Sequence, residues 1–332
     1  MSRASDAAAV TAPGGVGESP LGSAHRARSR VPDLLFRALT VVCAGLVVLA
    51  ALGIFVELVR NSRLSLARFG WRFLTSGEWN PVTGSFGALS SVFGTVVSTA
   101  IAMVIAVPLS LMIALFLVEL APPLLRRVAG TGIELLAAIP SIIYGMWGLF
   151  VFAPFLASHI QPLLGRTLGF LPLFSGPPMG IGMLSAGIIL AFMVLPFISS
   201  VMRDVFALVP PVLKESAYGM GATTWEVTRK VTARYGLRGL VGASLLGLGR
   251  ALGETMAVTF VIGNDHRISA SLFAAGNSIA STLANEFAEA SDPLYLSALV
   301  ELGLVLFVLT FIIQGITNLW LARIKRSGGG PR

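Results

Sequence analysis

The stretch GLGRALGETMAV, Gly247–Val258, decides how this chain is read. It lies inside a run, roughly Leu240–Ile262, that is long and apolar enough to cross a bilayer. Yet it holds Arg250 and Glu254, four residues apart. About 20 mostly apolar residues span hydrocarbon as a helix. Each charge at the bilayer centre costs roughly 2.5–3.5 kcal/mol on insertion scales. In a continuous helix the two residues would sit about 40° apart around the axis and about 6 Å along it, on one face. An exposed pair at that spacing contributes only about 0.3–0.5 kcal/mol, a weak reason to accept the insertion cost. A structural ion pair and the lining of a translocation path both stay open, and intramembrane charges favour the path.

Working outward, five more segments qualify as spans: roughly Leu39–Val59, Val92–Val118, Ile133–Leu156, Met183–Met202 and Leu296–Ala322. The composition agrees, with 55% hydrophobic and only 12% charged residues and a mean hydropathy of +0.83. A soluble domain is about one quarter charged. Helices satisfy their own backbone hydrogen bonds in lipid, and the even alternation of an outer-membrane barrel is missing. The expectation is one all-α integral membrane domain of six transmembrane helices over residues 34–325. Residues 1–33, rich in Ala, Gly, Ser and Arg, read as a disordered cytoplasmic tail without the apolar core of a signal peptide. Residues 326–332 read as a short cytoplasmic tail.

Net charge is +8. With the N-terminus inside, 17 of the 24 Lys and Arg fall on inside segments and 6 on outside ones, Arg250 being the remainder. This bias places both termini in the cytoplasm. The excess is what topology requires, so it argues against a nucleic-acid partner. Cys43, the only cysteine, reads as a small apolar residue of the first span and allows no intramolecular disulfide. His25, His159 and His266 are scattered in tail and loops and support neither a metal site nor a proton relay.

Among the loops, Leu64–Leu74 alternates basic and apolar faces and could lie in the membrane interface, with Trp71 and Trp79 as headgroup-level anchors. Ala157–Gly182 reads as a Pro- and Gly-rich outer loop, and Asn277–Ala290 as an amphipathic outer helix. The longest inside segment reads PPVLKESAYGMGATTWEVTRKV from Pro210. Pro211 suits the first turn of a helix. Gly221 suits its left-handed end. Thr223 and Glu226 form a capping-box pattern that opens a second helix. Helix, glycine turn, helix is expected. A plain re-entry hairpin, a DNA-reading motif and a docking surface for a cytoplasmic partner share that pattern. The tether to two spans disfavours DNA reading.

At this loop the sequence resembles the permease subunits of binding-protein-dependent ABC importers, in which an "EAA…G" helix fits a cleft of the ATPase. The resemblance rests on Glu215, Ala217 and Gly221, with Ser216 in place of the usual second alanine and Arg234 near where that family has a proline. Together with FLTSGEWNPVTGSFGAL, AAIPSIIYGMWGLFVF, TTWEVTRKV and GLGRALGETMAVTFVIGN, it is similar to the phosphate-specific, PstC-type family over roughly residues 34–325. The resemblance implies a type I ABC importer permease fold with a cytoplasmic coupling helix, in a multi-pass protein of a prokaryotic plasma (inner) membrane. It implies ATPase coupling through Glu215, Ser216, Ala217, Gly221, Thr223 and Glu226. It also implies a second PstA-like permease, a PstB-like ATPase dimer, a PstS-like extracytoplasmic phosphate-binding protein, and a path lined by the helix of Arg250.

The residues suit that cargo. Arginine presents a fork of donors to phosphate oxygens, and Glu254 could accept the O–H that phosphate keeps near neutral pH. Gly249 and Gly253 permit close helix approach, and Thr255 and Thr259 add hydroxyls nearby. Pro140, inside a span, marks a kink and a hinge candidate. The chain has no GxxxxGK[ST] loop, so it is no enzyme; ATP-Mg would be used by the separate ATPase, and no cofactor is expected on this chain. Competing readings are a permease for sulfate or molybdate and an ion-coupled secondary transporter. The latter expects paired broken helices in related halves and has no need of the coupling loop. An intramembrane enzyme would need a catalytic constellation that the sequence lacks.

Overall fold

A computed structural model describes residues 30–327. The expected tails at 1–29 and 328–332 lie outside the described residues. Helix α1 (Arg30–Asn61) starts inside the stretch expected as a tail, because the polar turn before the apolar run is also helical. Contacts divide the chain after Val56. Residues 30–56 are helix alone, with exposed apolar side chains such as Leu39 and Val47. Cys43 on it is exposed.

From Glu57 onward the core is built around helix α6 (Met183–Ala207). Its most extensive partner is α3 (Leu89–Leu115), which continues through a π-helical turn, Phe116–Leu120. The reason is a stripe of small residues on α3, all buried: Ser91, Thr95, Ser98, Ala102, Ala106, Ser110 and Ala114. Small side chains at this spacing let helix backbones approach closely. Ser110 Oγ donates across the seam to the Leu195 carbonyl at 3.0 Å. Ile189, Val194, Ile198 and Phe206 of α6 are fully buried behind it.

Five helices are long and apolar enough to span, among the described residues: Pro32–Asn61, Leu89–Leu120, Ser141–Leu168, Met183–Ala207 and Pro293–Leu319. Two of the expected spans change, and two local expectations change with them. The span expected at Ile133–Leu156 is two helices, α4 (Pro123–Ala137) and α5 (Ser141–Trp147), and the second runs on to Leu168 through two π-helical turns. Pro140 does not kink a helix. It is the N-cap of α5, because proline has no N–H to give and drives Ile139 out of the helical region. The segment Ala157–Gly182 is correspondingly helical as far as Leu168 rather than all loop. The span expected at Leu240–Ile262 is not one helix either. Helix α8 (Ala233–Leu252) stops at Gly253, and a four-residue helix α9 (Met256–Thr259) follows.

The loops expected on the outer side fold on themselves. α2 (Arg63–Phe69) carries the basic, amphipathic segment but ends at Gly70, whose φ is +52°. Trp71 on the following turn is exposed, as an anchor would be. Trp79 is not an anchor: it is buried, with its indole N–H on Glu286 at 2.6 Å and its ring stacked on His266. Glu286 ends helix α10 (Ile279–Glu286), which Ser278 caps. It also accepts from Tyr295 Oη at 2.6 Å on the last helix, α11 (Pro293–Ser327). The segment after α9 closes over the start of α6. Amides of Gly182, Met183 and Leu184 donate to carbonyls of Val261, Ala274 and Leu272, which satisfies donors that a helix N-terminus leaves open.

Candidate functional site

Two places hold the residues singled out in the sequence: the break between α8 and α9, and the loop between α6 and α8.

At the break, Gly253 follows the last residue of α8, and the closing bonds there are long: Gly253 N to Gly249 O and Glu254 N to Ala251 O are both 3.4 Å. Glycine and a β-branched threonine flank Glu254, and neither favours a helix interior. What holds the redirected chain is packing on α5. A Cβ on Gly145 would meet the Phe260 ring at 2.8 Å and the Ala257 Cα at 3.0 Å, so α9 sits against bare backbone. The i to i+4 face that the sequence assigned to Arg250 and Glu254 therefore does not exist. The helix ends between them, and no ion pair joins them among the described residues.

Each charge has its own surroundings. Arg250 is exposed in the last turn of α8, with its guanidinium 5.8 Å from the Phe197 ring centroid and within electrostatic range of Tyr144 on α5. Glu254 is half-buried, and its Oε1 accepts the Ala257 N–H at 3.1 Å. Its other oxygen carries no hydrogen bond among those described. The hydroxyls of Thr255 and Thr259 are spent locally, on the carbonyls of Gly253 and Thr255. Gly249 admits the Gln314 amide of α11 where a Cβ would collide with it. Tyr144, Phe197 and Gln314 were missed by sequence reasoning, since no local pattern marks them.

The second place follows its sequence pattern closely. Helix α7 (Pro211–Gly219) opens with Pro211 in its first turn. Its end is a Schellman motif: Ala222 N–H reaches the Ala217 carbonyl at 3.1 Å and Gly221 N–H the Tyr218 carbonyl at 2.9 Å, with Gly221 at φ +83°. Thr223 caps the next helix. Its Oγ1 accepts from Glu226 N at 3.3 Å, while Glu226 Oε2 accepts from Thr223 N at 3.1 Å. The Thr223 N–H, and after it the Lys230 ammonium 3.0 Å away, hold the Glu226 carboxyl below its ordinary value. A π-helical turn, Val227–Thr232, then leads into α8. Of the expected docking residues, only Ala217 is buried; Glu215, Ser216, Gly221 and Thr223 are exposed. Around them stand large apolar side chains, also exposed: Val212, Tyr218, Met220 and Trp225. A patch of this kind on a capped, rigid turn is what a protein–protein contact uses.

The comparisons with known proteins address the whole chain. Residues 106–326 match the family described as "Binding-protein-dependent transport system inner membrane component". This chain belongs to that family. The permease is 55% identical over 306 residues to a Mesorhizobium japonicum protein named phosphate transport system permease protein PstC, covering 91% of this chain and 94% of the relative. It is 53% identical over 309 residues to the protein of the same name from Pasteurella multocida, covering 92% and 96%. Among solved structures it is similar in fold to a bacterial ABC transporter involved in the import of the acidic polysaccharide alginate. That match has a TM-score of 0.58 and 15% identity, over 89% of this chain and 99% of the other. A second match is the bacterial alginate ABC transporter in complex with an alginate pentasaccharide-bound periplasmic protein, with a TM-score of 0.56 and 16% identity over 90% and 97%. The permease is thus a membrane-embedded, non-enzymatic subunit of an ABC importer, and such a subunit works with an ATPase and a substrate-binding protein. The fold is the type I importer permease fold.

Proposed function

We propose that this permease forms half of the path by which an ATP-driven importer carries inorganic phosphate into the cell. The observation that carries the proposal is identity above one half, over nine tenths of the chain, to permeases named for phosphate transport. The exposed guanidinium of Arg250 beside the helix break supports it, because a fork of donors suits phosphate oxygens. The second Glu254 oxygen would take the proton-bearing O–H of the anion. The other half of the path is a PstA-like permease. A PstB-like ATPase dimer, which binds ATP-Mg, docks on α7 and the capped turn after it, through Glu215, Ser216, Ala217, Gly221, Thr223 and Glu226. A PstS-like binding protein delivers phosphate from outside. No cofactor is bound by this chain. Both termini lie in the cytoplasm, following the excess of Lys and Arg on the same side. Pro140, at the junction of α4 and α5, is the hinge candidate, at the start of the helix that carries Tyr144.

The test is labelled phosphate uptake by cells that depend on this transporter, wild type against Arg250→Gln. Membrane abundance and ATPase assembly are checked in the same samples. A hydrogen bond to a charged group contributes about 1.5–3 kcal/mol, so uptake should fall by roughly tenfold or more with assembly intact. Normal uptake by the variant would remove Arg250 from the path. No phosphate uptake by wild type would overturn the cargo.

A further inference from the structure

The loop that docks the ATPase is tied to the transport domain by its two covalent ends and, among the described residues, by a third, side-chain tie. Its ends continue into α6 and α8. The third tie is a single buried carboxylate. Glu119, whose side chain is only 7% exposed, stands in the π-helical turn at the inner end of α3. Its Oε1 accepts from Lys214 Nζ of α7 at 2.7 Å and from Thr232 Oγ1 at 2.9 Å. Thr232, fully buried, closes the π-helical turn before α8. One carboxylate therefore joins α3, α7 and the root of α8. Arg126 fixes the same turn from the other side, through the carbonyls of Leu117 and Val118 at 2.8 and 2.6 Å.

The far end of α3 is equally committed. Gly94 lies so close to the Asn277 carbonyl that a Cβ would collide with it. Thr95 Oγ1 accepts from Ile279 N at 3.0 Å, and Ser91 Oγ is 3.2 Å from Thr282 Oγ1. So α3 is bonded at one end to the docking helix and at the other to α10 of the outer segment. About 24 residues of helix separate them, a rod of about 36 Å. π-helical turns are uncommon and gather at functional sites, and this rod meets the docking loop where two of them face each other.

We propose that the Glu119–Lys214–Thr232 junction is the strut through which movement of the docking helix reaches α3, and through α3 the outer segment Asn277–Thr282. The proposal rests on the reading of α7 as the ATPase contact. Glu119 and Lys214 are positioning residues: neither touches the cargo. Removing the strut should leave docking and ATP hydrolysis in place and disconnect them from the outer face.

The experiment uses the complete transporter with its partner subunits, reconstituted in lipid vesicles. Glu119→Gln, Lys214→Met and the reversed pair Glu119→Lys/Lys214→Glu are compared with wild type. Phosphate imported per ATP hydrolysed is measured. A fluorophore at Arg267→Cys, in a Cys43→Ser background, reports the nucleotide-dependent change at the outer face. Arg267 is 89% exposed, so the label meets little resistance. The single variants should assemble and hydrolyse ATP, with import per ATP reduced about tenfold and the outer signal lost. The reversed pair should recover at least part of both. A strut of merely structural importance would lower assembly without changing the ratio. Wild-type ratio and signal in the single variants overturn the strut, as does an assembled reversed pair no better than the singles. If Lys214→Met does not assemble, Thr232→Val replaces it: an unchanged outer signal there overturns the proposal, and a diminished one supports it. The fluorophore reads the strut without reference to cargo, so a wild type that moves its outer face but imports no phosphate refutes only the phosphate reading.

Discussion

Replacing Gly221 by alanine isolates the backbone term that holds the end of α7. At φ +83° an L residue is disfavoured, and a methyl at this position would meet nothing within 4 Å. Collision with neighbours therefore contributes nothing, and the whole effect is the left-handed penalty of about 1–2 kcal/mol. That is roughly a 5–30-fold shift in the equilibrium of the turn. Two amides report it: Gly221 N–H on Tyr218 O and Ala222 N–H on Ala217 O. Hydrogen exchange of the peptide covering residues 211–222, followed by mass spectrometry on the protein in nanodiscs, should be faster by that factor, since local opening sets the rate. Gly219→Ala is the matched control. It lies within α7, and its Cβ also meets nothing within 4 Å. There alanine should stabilise by about 0.5–1 kcal/mol and slow the exchange. Equal exchange in the two variants would refute the claim that the left-handed cap orders this helix.

Glu226, whose carboxyl is held below its ordinary 4.5 by the Thr223 N–H and then Lys230, stabilises its cap above that value and loses the effect as pH falls through the lower folded value. With the intrinsic slowing of exchange in acid divided out, protection at Thr223–Glu226 should fall on acidification in wild type and show no such step in Glu226→Gln; a persisting step would place the titration elsewhere. Burial pushes the Glu286 carboxyl up, but hydrogen bonds from His266, Tyr295 and Trp79 outweigh it and hold it below 4.5. Glu286→Ala leaves the buried Trp79 N–H and the Tyr295 hydroxyl without their acceptor, at about 1–3 kcal/mol for each group, and the apparent Tm in detergent should drop; an unchanged Tm would make the knot dispensable. Gly94→Ala drives a methyl into the Asn277 carbonyl, backbone against backbone, so its penalty should reach or exceed the 1–3 kcal/mol of ordinary overpacking. Membrane abundance should fall for it and stay normal for Gly315→Ala, whose Cβ meets nothing.

The sequence carried what local rules can carry. Hydropathy located four spans to within a few residues on most edges, and the Pro211, Gly221, Thr223 and Glu226 pattern specified the turn after α7 down to its capping bonds. Those residues act on neighbours three to five positions away. What stayed illegible depends on distant partners or on interruptions too short to move an average. Trp79 reads as an interfacial anchor until Glu286, 207 residues later, accepts its indole N–H. Glu119 and Lys214, 95 residues apart, look like ordinary loop charges until the fold brings them together. Pro140 was visible as a disturbance, but only the structure decides between a kinked helix and two helices.

The break at Gly253 is the most instructive interruption, because it removes the difficulty that the charges posed. A continuous helix must hold Arg250 and Glu254 in mid-span with little beyond each other to offset desolvation. A broken one offers two helix ends. Arg250 falls in the last turn of α8, where the partial negative charge of the unsatisfied carbonyls favours a cation. Glu254 falls just before α9 and accepts an amide from its first turn, where partial positive charge favours an anion. Each charge is stabilised by backbone rather than by its neighbour. The guanidinium is therefore free of a carboxylate that would otherwise compete with an incoming anion. A chain that needs an unpaired cation inside a membrane domain can obtain one by ending a helix beneath it. In this chain the helix ends at Gly253, between the two charges.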